Sequence, residues 1–224
     1  MTAVLFDMDG VIVNSEDYWV EFEEHELFPD AVTDAEVDLA ETSGMNFREI
    51  YDYLDDEYGT AITREEWIER FETAAREIYT ERVELLDGFR ELLAELDERE
   101  VTVALVSSSP HDWIDLVLER FDLEGEFDAV VSADDVDADS KPAPDVFLYA
   151  ADAVGADPED CVAVEDSENG VEAAARAGTT VVAYEIDAHG ELDLSRADEV
   201  VEDPEELRET VLGLAVDSSS GVDA

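Results

Sequence analysis

The chain has few basic residues, and lysine is nearly absent. Its 224 residues include 12 lysines and arginines against 64 aspartates and glutamates, for a formal net charge of −52. Such a charge repels nucleic acid and anionic membranes, so we expect neither as a partner. Two interpretations compete: an acidic stripe that imitates nucleic acid, and a surface adapted to a high-salt cytoplasm. The acidic residues are spread along the whole chain, which favours a surface adapted to a high-salt cytoplasm.

Cysteine and long apolar runs are also scarce. Cys161 is the single cysteine, so no disulfide can form within the chain. No run approaches the length of about 18 apolar residues that spans a membrane, and the N-terminal MTAVLFDMDG lacks a basic leader. A hydrophobic content of 46% excludes a disordered acidic tail. We therefore expect a folded cytoplasmic protein, either a monomer or a weak homodimer.

Five short, β-branched apolar runs predict the strands of a sheet. They lie at residues 3–6, 101–106, 127–133, 161–166 and 179–185. Each run is almost continuously apolar, which is typical of strands covered on both faces. Helical patterns separate the later runs, and strands that alternate with helices form parallel sheets with right-handed crossovers. The predicted fold is α/β, a Rossmann-like three-layer parallel sheet.

The segment from Ser15 to Arg82 interrupts this alternation. It has no β-rich run, and it shows helical spacing at Trp67, Ile68 and Phe71. We predict an α/β core at residues 1–14 and 83–215, a small helical cap domain at 15–82, and a flexible tail at 216–224. Because the cap follows the first strand, it should cover the carboxyl edge of the sheet, where open α/β sheets bind ligands.

Polar side chains end three of the predicted strands. Asp7 and Asp9 follow the first strand, Ser107 ends the second, and Glu165 and Asp166 end the fourth. Carboxylates that meet at one edge of a sheet repel one another unless a cation lies between them, and hard oxygen ligands suit Mg²⁺. A nearby lysine would balance the remaining charge and hold an anionic substrate.

Four motifs resemble those of the haloacid dehalogenase superfamily of phosphotransferases. They are DMDGVIVNS at the first strand, LVSSS with Ser107, SKPAPDVF with Lys141, and VEDSENG with Glu165 and Asp166. All four come in the family's order, across residues 1 to about 185. The resemblance is closest to the branch with a small helical cap, which includes phosphoglycolate phosphatases, sugar-phosphate phosphatases and β-phosphoglucomutases.

The resemblance implies the catalytic roles. Asp7 would attack phosphorus and become an aspartyl phosphate. Asp9 would protonate the leaving alcohol and then activate water. Lys141, the only lysine of the chain, would reach the phosphate and Asp7 as a compact point charge, in a site too crowded for the wider fork of arginine.

The resemblance also implies the binding residues. Mg²⁺ would be held by Asp7, the main chain of Asp9, Asp166 and Glu165. The phosphoryl oxygens would be bound by Ser107, by the amide of Ser108 and by the helix that begins near Asn169. In the cap, Gly44 and Arg48 resemble the substrate-specificity loop. Arg48 would hold a substrate carboxylate or a second phosphate bidentately; the alternative is an exposed arginine among acids.

Four chemistries share this scaffold: those of dehalogenases, phosphonatases, phosphatases and phosphomutases. A non-catalytic acidic binding module is a further alternative, which the complete motif set disfavours. Dehalogenases of the family lack the second aspartate, which is Asp9 here. The phosphonatases use a cap lysine, and the cap of this chain has none. The related mutases carry both a histidine and a lysine in the cap, and here Trp19 lies near the position of that histidine. We therefore predict a Mg²⁺-dependent phosphatase of a small phosphorylated metabolite, such as phosphoglycolate or a sugar phosphate. The alternative is a β-phosphoglucomutase-like phosphomutase.

Overall fold

A six-stranded parallel sheet forms the centre of the protein. The computed structural model describes residues 2–37, 39, 42, 45–186 and 192–217. The strands are β1 (Ala3–Phe6), β2 (Thr102–Ser107), β3 (Ala129–Ser132), β4 (Cys161–Glu165), β5 (Thr180–Tyr184) and β6 (Glu199–Val201). Their order across the sheet is β3-β2-β1-β4-β5-β6, and every neighbouring pair is parallel. The predicted α/β class is confirmed.

The sixth strand was not predicted. β6 is three residues long and lies at the edge of the sheet, and Glu199 and Val200 are exposed. A strand so short and so little buried lacks the continuous apolar run by which the other five were predicted.

Helices precede, cover and flank this sheet. In chain order they are α1 (Glu16–Phe22), α2 (Phe28–Ala31), α3 (Phe47–Glu57), α4 (Arg64–Glu77), α5 (Phe89–Glu98), α6 (His111–Arg120), α7 (Asp145–Ala153), α8 (Glu168–Ala177) and α9 (Pro204–Asp217). π-Helical turns follow α1 at Glu23–Leu27 and α4 at Ile78–Arg82.

Alternate side chains of β1 point to opposite faces of the sheet, and each face has its own helices. Val4 and Phe6 pack in one buried cluster with residues of α5 and α9. Ala3 and Leu5 pack in a second cluster with residues of α7 and α8. This gives three layers, with the sheet in the middle.

Residues 15–82, which we call the cap, contain α1 to α4 and the two π-helical turns. Side-chain caps fix two of its helix starts: Asn46 accepts a hydrogen bond from the N–H of Arg48, and Thr63 from that of Glu66. The chain enters and leaves the cap through two paired linkers, since Asn14 Oδ1 accepts from the N–H of Glu84 at 2.6 Å. The division into two domains remains a prediction.

The strand order places β1 at a topological switch point. The chain runs from β1 through β2 to β3 on one side, and then returns to build β4, β5 and β6 on the other. Ligands of open α/β sheets bind at the carboxyl ends of the strands at such a point.

The end of the chain differs slightly from expectation. Helix α9 extends to Asp217, so it includes the first two residues of the predicted tail; residues 218–224 lie outside the described residues. None of the helices in the described ranges is both long enough and apolar enough to cross a membrane.

Candidate active site

Asp7 lies directly after β1, between the ends of two neighbouring strands. Its N–H donates to the carbonyl of Val164 at 3.0 Å, which continues the pairing of β1 with β4 past Phe6. Its carboxylate oxygen Oδ1 accepts a hydrogen bond from Lys141 Nζ at 2.6 Å. The structure therefore brings together the carboxylate and the lysine that the motifs pair.

Lys141 also contacts the second strand end. Its ammonium donates to Glu165 Oε1 at 2.5 Å, and both side chains are buried. The other oxygen of Glu165 accepts from the N–H of Asp166 at 3.2 Å and from Ser167 Oγ at 3.4 Å. A side chain at Gly170 would overlap the Glu165 carboxylate, so glycine is required there. Glu165 thus gives Lys141 a second carboxylate partner besides Asp7.

Three buried carboxylates at this edge fit a hard divalent cation. Asp7, Glu165 and Asp166 each offer an oxygen, and these oxygens lie within 4.8 Å of one another. Gly10 has a φ of +76°, and a Cβ there would overlap the Asp166 carboxylate, so the backbone turn lies directly against the cluster. Three carboxylates against one ammonium leave an excess of negative charge, and the all-oxygen donor set is the kind that Mg²⁺ prefers.

Burial and charge act on these groups in opposite directions. Burial raises the pKa of Asp7 well above its usual range, while the Lys141 ammonium opposes the shift and the Glu165 carboxylate adds to it. Burial alone would lower the pKa of Lys141, but the charges of Asp7 and Glu165 outweigh it, so the pKa lies above its usual value. The lysine is therefore charged throughout the working pH range.

Asp9 is held by hydroxyl groups from three parts of the chain. Its Oδ1 accepts from Ser15 Oγ at 2.6 Å and from the Tyr79 hydroxyl at 2.7 Å. Its Oδ2 accepts from Ser109 Oγ at 3.0 Å. Burial raises the pKa of Asp9, and these hydrogen bonds oppose the shift. A raised pKa suits a carboxyl group that must carry a proton.

Sequence reasoning missed most of these partners. Ser109 ends the LVSSS motif and Ser15 ends the first motif, so their positions gave a signal. Tyr79 lies 70 residues from Asp9, in no motif, and only the fold reveals its contact.

A cleft of about 410 Å³ opens between the sheet edge and the cap. Its core side is polar and includes Asp7, Asp9, Ser108, Lys141, Asp166 and Asn169. Ser107, which was predicted to bind phosphoryl oxygens, is buried beside the cleft but is not part of its lining. Its Oγ accepts from the N–H of Ser109 at 3.0 Å, so it shapes the loop that presents Ser108 and Ser109.

The cap side of the cleft differs from the prediction. Arg48 is not among the lining residues; it is partly exposed and pairs with Asp134 at 3.2 Å. Gly44 lies outside the described residues. Asn46 instead joins cap and core, since its side-chain amide donates to the carbonyl of Ser108 at 3.0 Å. The wall is mainly apolar, and Glu23, which sequence reasoning missed, lies within it.

Comparisons with known proteins identify the family of this chain. Hexitol phosphatase B of Escherichia coli (strain K12) is 36% identical over 189 residues, which cover 80% of this chain and 82% of that protein. β-Phosphoglucomutase of Bacillus subtilis (strain 168) is 28% identical, with coverages of 81% and 82%. The crystal structure of β-phosphoglucomutase from Clostridium difficile shares the fold, with a TM-score of 0.76 at 21% identity over 98% of this chain and 100% of that one. The profile of the haloacid dehalogenase-like hydrolases matches residues 4–184. The chain belongs to this family.

Proposed function

We propose that this phosphoric monoester hydrolase is a Mg²⁺-dependent phosphatase that acts on a small phosphorylated metabolite through an aspartyl-phosphate intermediate. The observation that carries the proposal is the contact of Asp7 with Lys141 at the base of the cleft, with Asp9 oriented by three hydroxyl groups beside it. The curated relatives, among them a hexitol phosphatase, support a phosphorylated small molecule as the substrate.

In the first step, an oxygen of Asp7 forms a bond to phosphorus as the ester P–O bond breaks. Lys141 stabilises the charge on the transferring phosphoryl group and orients Asp7. Asp9 gives its proton to the departing alkoxide, which leaves as an alcohol. Ser108 and the N-terminus of α8, capped by Ser167, offer donors to the phosphoryl oxygens on the same side of the cleft.

In the second step, Asp9 removes a proton from a water molecule that attacks phosphorus. The bond between Asp7 and phosphorus breaks, inorganic phosphate forms, and Asp7 returns as a carboxylate. Asp7, Asp166, Glu165 and the main-chain carbonyl of Asp9 would hold the cation. When bound, Mg²⁺ shields the negative charge between carboxylate and phosphate.

The residues of the cap favour hydrolysis over the mutase alternative. Trp19, near the position where the related mutases carry a histidine, is buried, and its indole N–H donates to the Tyr79 hydroxyl at 3.2 Å. No lysine lies in the cap to couple cap closure to the readiness of Asp9. Water should therefore be the normal acceptor of the phosphoryl group.

The test is product analysis by ³¹P NMR in molar KCl, with phosphorylated metabolites and with β-glucose 1-phosphate plus a bisphosphate primer. We expect inorganic phosphate with Mg²⁺, little with EDTA, and none from Asp7→Asn. Asp97→Asn, at an exposed site on α5, is the matched control and should keep full activity. Turnover by Asp7→Asn above a tenth of the original rate would remove Asp7 from the mechanism. Glucose 6-phosphate forming faster than free phosphate would establish the mutase alternative.

A further inference from the structure

Glu23 is a carboxyl residue of the cleft that has no part in the reaction described above. Glu23 begins the π-helical turn after α1, and its side chain lines the cap side of the cleft. Trp19 and Val20, four and three residues earlier, lie on the same helix face and line the same wall. Phe47 and Phe71 line this wall as well. Glu23 is thus a polar residue next to an apolar part of the cleft wall.

Glu23 lacks a partner in the part of the chain that the structure describes. Its side chain makes no hydrogen bond and no ion pair there, and the only influence on its ionisation is burial. The next residue, Glu24, is exposed and approaches His25 at 4.0 Å. Glu23 is half-buried, and a carboxyl group that loses contact with water without gaining a partner is destabilising. A polar side chain without a partner in a substrate cleft is typical of a functional position.

The ionisation state of Glu23 limits what it can bind. Burial raises the pKa of Glu23 to about 8, so at neutral pH the group carries a proton. A protonated carboxyl group donates one hydrogen bond and accepts others. An alcohol hydroxyl has the same two roles, whereas a carboxylate only accepts and an ammonium only donates.

The charges around the cleft also favour a hydroxyl group over a carboxylate as the ligand of Glu23. Lys141 is the single basic residue among the described residues of the lining, and Asp7 and Glu165 already engage it on the core side. Arg48 lies outside the lining. A substrate carboxylate on the cap side would meet no counter-charge, and it would be repelled by Glu23 once that group ionised.

We propose that Glu23 binds a hydroxyl group of the substrate's leaving group, and that the enzyme thereby selects phosphorylated polyols and sugars over phosphoglycolate. This inference rests on the phosphatase function proposed above and assigns its substrate class. Glu23 acts as a specificity-determining residue, because it contacts the part of the substrate that is not transferred to Asp7.

The test compares three phosphate esters: sorbitol 6-phosphate with many hydroxyls, butyl phosphate with none, and phosphoglycolate with a carboxylate. The wild type should prefer sorbitol 6-phosphate. Glu23→Leu should lower kcat/KM for this ester by at least about tenfold, mainly through KM, and change it for butyl phosphate by less than about twofold. Glu23→Gln should keep most of the preference, because an amide also donates and accepts. Glu24→Leu, at the exposed neighbouring position, is the matched control and should behave as the wild type.

Equal losses of kcat/KM for sorbitol 6-phosphate and butyl phosphate in Glu23→Leu would mean that Glu23 only supports the cap and would overturn the proposal. A wild type that prefers phosphoglycolate would contradict it directly. Release of phosphate from none of the esters would instead overturn the phosphatase function. Calorimetric binding of the first two esters to the same proteins would then decide the role of Glu23. Tighter binding of sorbitol 6-phosphate that Glu23→Leu abolishes supports the proposal, and equal binding overturns it.

Discussion

Lys141 shows why a chain with eleven arginines keeps one lysine. Its Nζ lies 2.6 Å from an oxygen of Asp7 and 2.5 Å from an oxygen of Glu165, and the residue is 5% exposed. The nitrogen also lies 5.2 Å from the centre of the Phe147 ring. A compact ammonium fits between two carboxylates at this spacing, whereas a planar guanidinium is wider and delocalises its charge over a fork of donors.

Lys141→Arg should therefore lower kcat/KM by about 100-fold or more, which is about 2.7 kcal/mol of transition-state stabilisation. Steady-state kinetics with the preferred substrate measure this loss, and circular dichroism checks the fold. Arg64→Lys, at an exposed ion pair with Asp52, is the control for exchange of the two basic side chains and should be neutral. A nearly normal Lys141→Arg enzyme would show that positive charge alone suffices.

At the level of elements, the two ends of the cap meet at Asp9, the proposed acid/base residue. Ser15 precedes α1 and Tyr79 lies in the π-helical turn after α4, and both donate to the same oxygen of Asp9. Trp19 of α1 donates to the Tyr79 hydroxyl in turn. Asp9 is thus positioned by the cap as well as by its own strand, so movement of the cap would change the hydrogen bonds of Asp9.

Tyr79→Phe tests this coupling, because it removes one hydroxyl and keeps the buried ring. We expect kcat to fall about tenfold, equal to about 1.4 kcal/mol, with little change in KM. The Tyr79 hydrogen bond lowers the pKa of Asp9, so its loss should raise that pKa and move the corresponding limb of the pH–rate profile to higher pH.

Tyr51→Phe is the matched control for this variant. The Tyr51 hydroxyl donates to the carbonyl of Ile62 within the cap, away from Asp9. It should cost some stability and leave the pH–rate profile in place. An unshifted profile in Tyr79→Phe would reduce Tyr79 to a packing role.

At the scale of the whole molecule, the charge of −52 acts on every element at once. Partly exposed arginines pair with exposed acids, as Arg70 does with Asp30 at 2.9 Å and Arg82 with Glu21 at 2.6 Å. Such exposed pairs contribute little each, and they leave most of the 64 acids without a basic partner. We therefore expect the stability of the compact state to depend on screening of this self-repulsion by salt in the solvent.

Thermal melts across a KCl series should show a Tm that rises steeply between 0.1 M and about 1 M, where the Debye length falls from about 10 Å to about 3 Å. Sucrose, which strengthens burial without screening charge, is the control and should not reproduce the rise at low salt. A higher Tm in dilute buffer would contradict the prediction of a high-salt cytoplasm.

The sequence by itself determined the α/β class, five of the strands and the polar residues that end three of them at the sheet edge. Apolar runs that end in Asp7, Ser107 or Glu165 specify where strands stop, and parallel strands bring their carboxyl ends to one edge. Tertiary structure alone decided the contacts made across long separations. The Tyr79 hydroxyl reaches Asp9 over 70 residues, and Ser109 reaches it over 100. Arg48 pairs with Asp134 outside the cleft, while Glu23 lies inside it. These contacts depend on how the cap packs against the core. A local sequence pattern predicts which face of a helix is apolar, but it does not predict which residues that face will contact.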